Sequence, residues 1–401
     1  MIYRDGNTIV LMALLICENC KKVYKVSGGD DCPGCSLAFP HSYNYAASDA
    51  YLAREIPRVL AERARAGLEG LVGGLECIII NTERSHLRAA AQELLDHTGL
   101  ELDGAFRDDA YSTIVLKTPG SADVLVRSRL RGESPFAAAN RHPKSRELPD
   151  TRLETFVYKV ADIDRYVDIQ KARGVRFMTA RAVRGRSSSF IQTKPSRFTG
   201  NSTGFVQWDD ERGDWRGPKS ERVRPPIAKR RKAHLRFVKE IDHAATRVRA
   251  EDRDAAIVEF MGLTNYRFDF AIYVKVFNSI TNVARLTAAD YAMVFTSGIA
   301  PYVDDDVSGP TEKFIHNFGP RVHHVAFRTE RIERVFSSLK REGMKFLIEL
   351  VGSRNEGLKQ TFTMPSPVTM LVTEYIHRYG DFDGFFTKSN VTLLTGATGR
   401  Q

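Results

Sequence analysis

Apolar runs of strand length alternate with stretches of helical period along most of the chain, and the order repeats. From Gly70 the run LECIIIN leads into ERSHLRAAAQELLDHTGL, then the strand candidates YSTIVLKT and DVLVRSRL. A second block, RLETFVYKV then ADIDRYVDIQKARGVRF, closes in SSFIQTKPSRFTGNSTGFVQW. The series begins again at EIDHAATRV, with EDRDAAIVEFMGL, FDFAIYVKVF and DYAMVFTSG behind it. RVHHVAFRT, ERIERVFSSLKREGMKF and LKQTFTMPSPVTMLVTEYI complete it. LETFVYKVADIDRYVDIQKARGVRF and HHVAFRTERIERVFSSLKREGMKF share the register of strand, helix, glycine and strand. This self-similarity predicts an α+β fold of two tandem homologous domains, 70–208 and 237–401.

Superposing the halves pairs Cys77 with His243, Thr155 with His324 and Gln207 with Glu374, at offsets of 166, 169 and 167 residues. The second copy thus carries two imidazoles and a carboxylate inside apolar strands, where the first carries none. A strand histidine is more often a hydrogen-bonded core residue than a ligand. Three such positions falling together in one copy of a duplicated unit change that balance. A carboxylate buried at Glu374 also calls for a cation or hydrogen bonds. Two His and one Glu form a three-ligand set suited to a redox-active iron with open positions. Strand alternation turns Asp242 away from His243, lets at most one of His323 and His324 face a given cavity, and sets His377 opposite Glu374.

The remaining segments are smaller. Cys17, Cys20, Cys32 and Cys35 form two CxxC knuckles, a spacing that predicts a structural Zn(II) site in a zinc-ribbon-like module at 12–40. Residues 41–69 carry Leu52, Ile56, Val59 and Leu60 at helical spacing, a connecting helix that ends near Gly67. Residues 209–236 are polar, basic and interrupted by proline, which predicts an exposed, unpacked linker. Ile9–Ile16 is too short to span a membrane, and a CxxC follows it in place of a cleavage site. A soluble, cytoplasmic protein is the default expectation.

The 401 residues carry a formal charge of +10, and the basic stretch 222–236 holds much of the excess. A basic linker accounts for that charge without nucleic-acid binding. Five cysteines, four of them in the knuckles, do not make a secreted disulfide scaffold.

VHHVAFRTERIERVFSSLKREGMKFL and LKQTFTMPSPVTMLVTEYIHRYGDFDGFFTKSNV resemble the catalytic half of 4-hydroxyphenylpyruvate dioxygenases, in the vicinal oxygen chelate superfamily. The resemblance implies tandem domains of paired βαβββ modules, with Fe(II) held by His243, His324 and Glu374 of the second domain. It implies that Gln360 faces the substrate and that Phe386 and Asn390 belong to the segment covering the cavity. His323 stands where the family has glutamine, and Val391 where it has a second phenylalanine; Phe385 is a further candidate for the pocket wall. The zinc-ribbon-like module is foreign to the ordinary enzyme. The activity implied is an Fe(II) dioxygenase acting on a small aromatic 2-oxo acid and O2, with a homo-oligomer as the expected partner state. The rival readings are a ring-cleaving extradiol dioxygenase, favoured by the 50 residues from His324 to Glu374, and a zinc-containing binding or regulatory protein.

Overall fold

Branched and aromatic residues dominate the runs around Cys77, Thr155, His243 and His324, and each run forms a long strand buried over most of its length: Val72–Thr82, Arg152–Val160, Val238–Arg247 and Arg321–Thr329. Each opens a strand–helix–three-strand module, so the chain contains four. In the first module the helix Leu87–His97 is followed by strands Glu101–Arg107, Tyr111–Lys117 and Asp123–Arg129. In the third, the helix Arg253–Leu263 precedes Arg267–Val274, Ser279–Arg285 and Ala292–Gly298. In the fourth, the helix Ile332–Arg341 precedes Phe346–Ser353, Leu358–Thr363 and Val372–Arg378. The computed structural model describes residues 3–5, 8–10, 14–16, 23–25, 45–210, 213–306, 308–387 and 390–397.

A module closes by pairing its first and last strands in parallel, as Val238–Arg247 does with Ala292–Gly298 and Arg321–Thr329 with Val372–Arg378. Two modules join through antiparallel pairing of their first strands. The result is two curled sheets with the same strand order, each a half-barrel of two βαβββ units. One large apolar core runs through both halves. Separate small clusters fill the inner face of each sheet.

Registers correct one of the sequence alignments. Glu374 lies opposite Ala326, two residues beyond His324 on that strand. In the first sheet the residue opposite Val157, two beyond Thr155, is Gly204 and not Gln207. A side chain at Gly204 would meet Val157, Phe190 and Thr155 at 3.0–3.1 Å, so this space is already filled. Gln207 instead accepts the Ile163 N–H at the start of the helix Ile163–Ala172 of its own module.

The segment 209–236 is not an unpacked linker. Trp215 sits edge-on to Trp208 at 4.7 Å and donates to Asp123 at 2.6 Å. Glu221–Arg222 adds a short strand beside Phe106 and Arg107. Lys229 donates to the Thr98 and Leu100 carbonyls, and Lys232 to Asp96 O and Glu342. Two of the seven basic side chains of 222–236, Lys229 and Lys232, are therefore spent on the C-terminal end of the helix Leu87–His97, where carbonyls lack partners and the helix dipole favours cations. The hydropathy pattern hid this, because long basic side chains pack through their stems.

The predicted amphipathic helix spans Tyr45–Ala66 and ends before Gly67, whose φ is +75°. It packs on Arg253–Leu263 of the second half as well as on the first. The fully buried Arg63 donates to the carbonyls of Met261, Thr264 and Tyr266, capping that helix. Near the N-terminus, the strands Leu14–Ile16 and Val23–Lys25 pair antiparallel and add to the edge of the second sheet beside Arg267–Val274. Cys17, Cys20, Cys32 and Cys35 lie outside the described residues, and no zinc ribbon is identifiable among those described. No helix among the described residues is long and apolar enough to cross a membrane.

Candidate metal centre

Three adjacent strands of the second sheet bring His243, His324 and Glu374 to one point on its inner face. The Nε2 atoms of His243 and His324 lie 3.2 and 3.3 Å from the same carboxylate oxygen, Glu374 Oε2. One donor atom from each residue falls within 4.8 Å of the others, and all three residues are buried.

Each imidazole is held by its other nitrogen. His243 Nδ1 lies 2.7 Å from Asp242 Oδ1, an acceptor, so Nδ1 carries the proton and Nε2 faces the cluster. Simple alternation turns Asp242 the other way. A register irregularity between Ile241 and His243 breaks the alternation and lets the carboxylate reach its neighbour's ring. Arg378 grips Asp242 with both terminal nitrogens. Burial would push the Asp242 carboxyl up, but His243 and Arg378 hold it well below the usual carboxylate range. Burial likewise opposes charge on His243, yet Glu374 and Asp242 override it and push its pKa up to about 9.

His324 Nδ1 lies 2.8 Å from Nδ1 of His323. Burial, reinforced by the neighbouring His323, His243 and Arg247, pushes the His324 pKa well below its ordinary value, which keeps the imidazole neutral with a lone pair to offer. Burial pushes Glu374 up. Without a cation the cluster therefore holds a buried carboxylate only by protonating its neighbour. The donor set fits a divalent ion: three donors from rigid strands, two imidazoles and one carboxylate, with every Nδ1 turned away. This facial-triad-like arrangement is consistent with an Fe(II) site.

Around the cluster, Phe385 is 4% exposed and stands edge-on to His243 at 5.1 Å. Arg378 holds its segment by donating to Gly384 O, with the guanidinium 4.9 Å from the Phe385 ring. Gln360 lies opposite Ile376, on the face that carries Glu374; it is 1% exposed, and neither amide atom has a hydrogen-bond partner. Phe386 is half-buried beside Val274, and Asn390 begins the helix Asn390–Ala397. His323 lies edge-on to Phe314 of the helix Pro310–Phe318 at 5.4 Å. His377 is occupied elsewhere, its Nδ1 2.7 Å from the Thr329 carbonyl. A cavity of about 650 Å³ opens between the halves, on the opposite face of the second sheet, where it is lined by Thr246, Met293 and Phe295; none of the three ligand candidates borders it.

Strand alternation misplaces Asp242, and the hydropathy pattern does not single out Arg378. A charged pair, one member beside a strand histidine and the other four residues beyond the glutamate, was the available signal.

No known family model matches the chain, and no curated protein matches it in sequence. Solved structures do. A triple mutant of 4-hydroxymandelate synthase from Streptomyces coelicolor superposes with a TM-score of 0.62 over 82% of this chain and 99% of that one, at 18% identity. A xylose isomerase-like TIM barrel/4-hydroxyphenylpyruvate dioxygenase fusion protein matches with a TM-score of 0.57 over 88% of this chain, at 13% identity, and this chain covers 59% of its length. The chain therefore shares the fold of 4-hydroxymandelate synthase, with two half-barrels of the vicinal oxygen chelate type.

Proposed function

We propose that the protein is a non-haem Fe(II)-dependent dioxygenase acting on an arylpyruvate-like 2-oxo acid. The observation that carries this reading is the convergence of His243, His324 and Glu374 on the inner face of one sheet only, while the equivalent positions of the other are Cys77, Thr155 and Gly204. The fold shared with 4-hydroxymandelate synthase supports the choice of reaction class, as does the sequence resemblance around Glu374.

His243 Nε2, His324 Nε2 and Glu374 would hold the iron, which when bound supplies the redox chemistry joining O2 to oxidative decarboxylation of a 2-oxo acid. The chain's own contributions are positional. Asp242, fixed by Arg378, keeps the His243 proton on Nδ1 and its lone pair inward. Phe385 closes the cluster from the side and excludes water. Gln360 offers an amide donor and acceptor to a substrate on the Glu374 face, which explains why both its polar atoms are otherwise unpartnered. Zn(II) at the four cysteines belongs to the same proposal as a structural element only.

The test is oxygen uptake by protein loaded anaerobically with Fe(II). The expected result is uptake and CO2 release with 4-hydroxyphenylpyruvate, both lost in His324→Ala together with the bound iron. Uptake with catechols but not 2-oxo acids would select ring cleavage instead, and a His324→Ala variant with full iron and full activity contradicts the assignment.

A further inference from the structure

Arg247 is a charge in an improbable place. It lies four residues beyond His243 on the same strand, and alternation through Ala245, part of the inner-face cluster, puts all three on the inner face of the sheet. It is 3% exposed, its Nη1 has no hydrogen-bond partner, and it makes no ion pair among the described residues. Its guanidinium lies over the Phe314 ring at 4.2 Å, a cation–π approach. Burial pushes its pKa down to about 9, with no carboxylate opposing the shift. Burying a guanidinium this way costs several kcal/mol, on the order of what a whole domain has to spare, unless something anionic completes it.

The neighbours sharpen the point. On one side its register partner is Thr296, whose buried Oγ1 also lacks a partner. On the other it is Arg321, a second buried cation, which donates to the Thr151 carbonyl. The unpartnered donors therefore sit side by side on adjacent strands, with no counter-ion beside them among the described residues. They lie near the cluster, since the charge of Arg247 is felt at His324. Along the strand their Cα atoms begin about 13 Å from His243, at about 3.3 Å per residue.

We infer that Arg247 and Thr296 form an anion subsite on the inner sheet face that carries the candidate metal ligands, so that the substrate bears a second anionic group remote from its metal-binding end. This rests on the proposed function, in which the metal takes the 2-oxo acid head, and it narrows the substrate class to diacids. A guanidinium and an adjacent hydroxyl suit a carboxylate, the first through paired N–H donors and the second through one O–H.

The test compares two ligands that differ only in that group. Protein loaded with Co(II) is titrated calorimetrically, without O2, with phenylpyruvate and with 4-carboxyphenylpyruvate. The expected result is at least roughly tenfold tighter binding of the diacid, about 1.4 kcal/mol. Arg247→Met should abolish the preference while the Co(II) absorption spectrum stays unchanged, and Thr296→Val should reduce it severalfold. Should Arg247→Met fail to fold, Arg247→Lys, which keeps the charge but loses the fork, should also lower the preference. Equal affinities in the wild type, or a preference that survives every variant that folds, overturns the inference. Absence of any Co(II) spectrum in the wild type overturns the proposed function and this inference with it, which separates that failure from loss of the diacid preference alone.

Discussion

At the scale of single residues, the candidate centre depends on which nitrogen of each imidazole is occupied. Asp242 settles this for His243, and Arg378 settles it for Asp242. Replacing Asp242 by Ala leaves Nδ1 without its acceptor and Arg378 without its counter-ion. Losses of this kind typically cost about 10–100-fold in metal affinity. The expected outcome is a drop of that size for Co(II), read by competitive titration with a chelator, with near-UV circular dichroism unchanged. A second residue makes a pH prediction. Glu312 is 2% exposed, accepts the N–H groups of Gly298 and Ala250, and has its pKa pushed up to about 7, chiefly by burial. An acid whose folded pKa is raised binds its proton more tightly in the native state. Its contribution is thus fully present below the unfolded value, near 4.5, and is lost as pH rises through about 7. Glu312→Gln should be the more stable protein at pH 8, by roughly 3 kcal/mol at most, and should flatten the decline between pH 5 and 8 in urea unfolding. A wild-type protein that gains stability across that interval contradicts the account of Glu312.

At the scale of elements, much was legible in the sequence and some was not, for physical reasons that particular residues show. The order of strands and helices was readable because each module opens on a long apolar strand followed by an amphipathic helix, and His243, His324 and Glu374 stood out against those apolar backgrounds. Asp242 was hidden because alternation assumes a regular strand, and the irregularity beside it is a pairing feature that hydropathy does not encode. Arg247 was visible as a charge in HAATRV, but its lack of a partner is a property of three neighbouring strands. Gln207 was aligned with Glu374 by spacing alone, whereas the hydrogen-bonded register chooses Gly204. The basic segment 209–236 was read by its polarity as exposed and unpacked; much of it is exposed, yet Trp215, Lys229 and Lys232 bind it to the first half. Arg63 belongs to the same lesson. Its guanidinium closes the end of a helix some 200 residues away in sequence, a role invisible in a helical wheel. Arg63→Ala leaves the carbonyls of Met261, Thr264 and Tyr266 short of a donor, at about 1–3 kcal/mol for each group left unsatisfied. Urea unfolding should show a loss of roughly 3 kcal/mol; a change below about 0.5 kcal/mol would remove Arg63 from the account of how the halves are joined.

At the scale of the whole molecule, the two half-barrels are copies that have diverged in what fills them. The first packs its inner face with Cys77, Ile79, Val157, Val206 and Trp208, and its buried carboxylates already have partners, Asp123 in Trp215 and Glu154 in Arg127 and Arg129. The second keeps a polar centre and holds it on rigid strands, surrounded by Ala245, Val294 and Phe385. One core running through both halves lets the first copy support the second, whose buried charges add little to stability by themselves. The central claim is that this polar centre is a metal site and that its three side chains hold the ion together. Elemental analysis of protein purified without oxygen, in the wild type and in Glu374→Ala, tests that most directly. The account predicts about one iron per chain in the wild type and almost none in the variant, any zinc remaining the same in both; equal iron in the two proteins would contradict it.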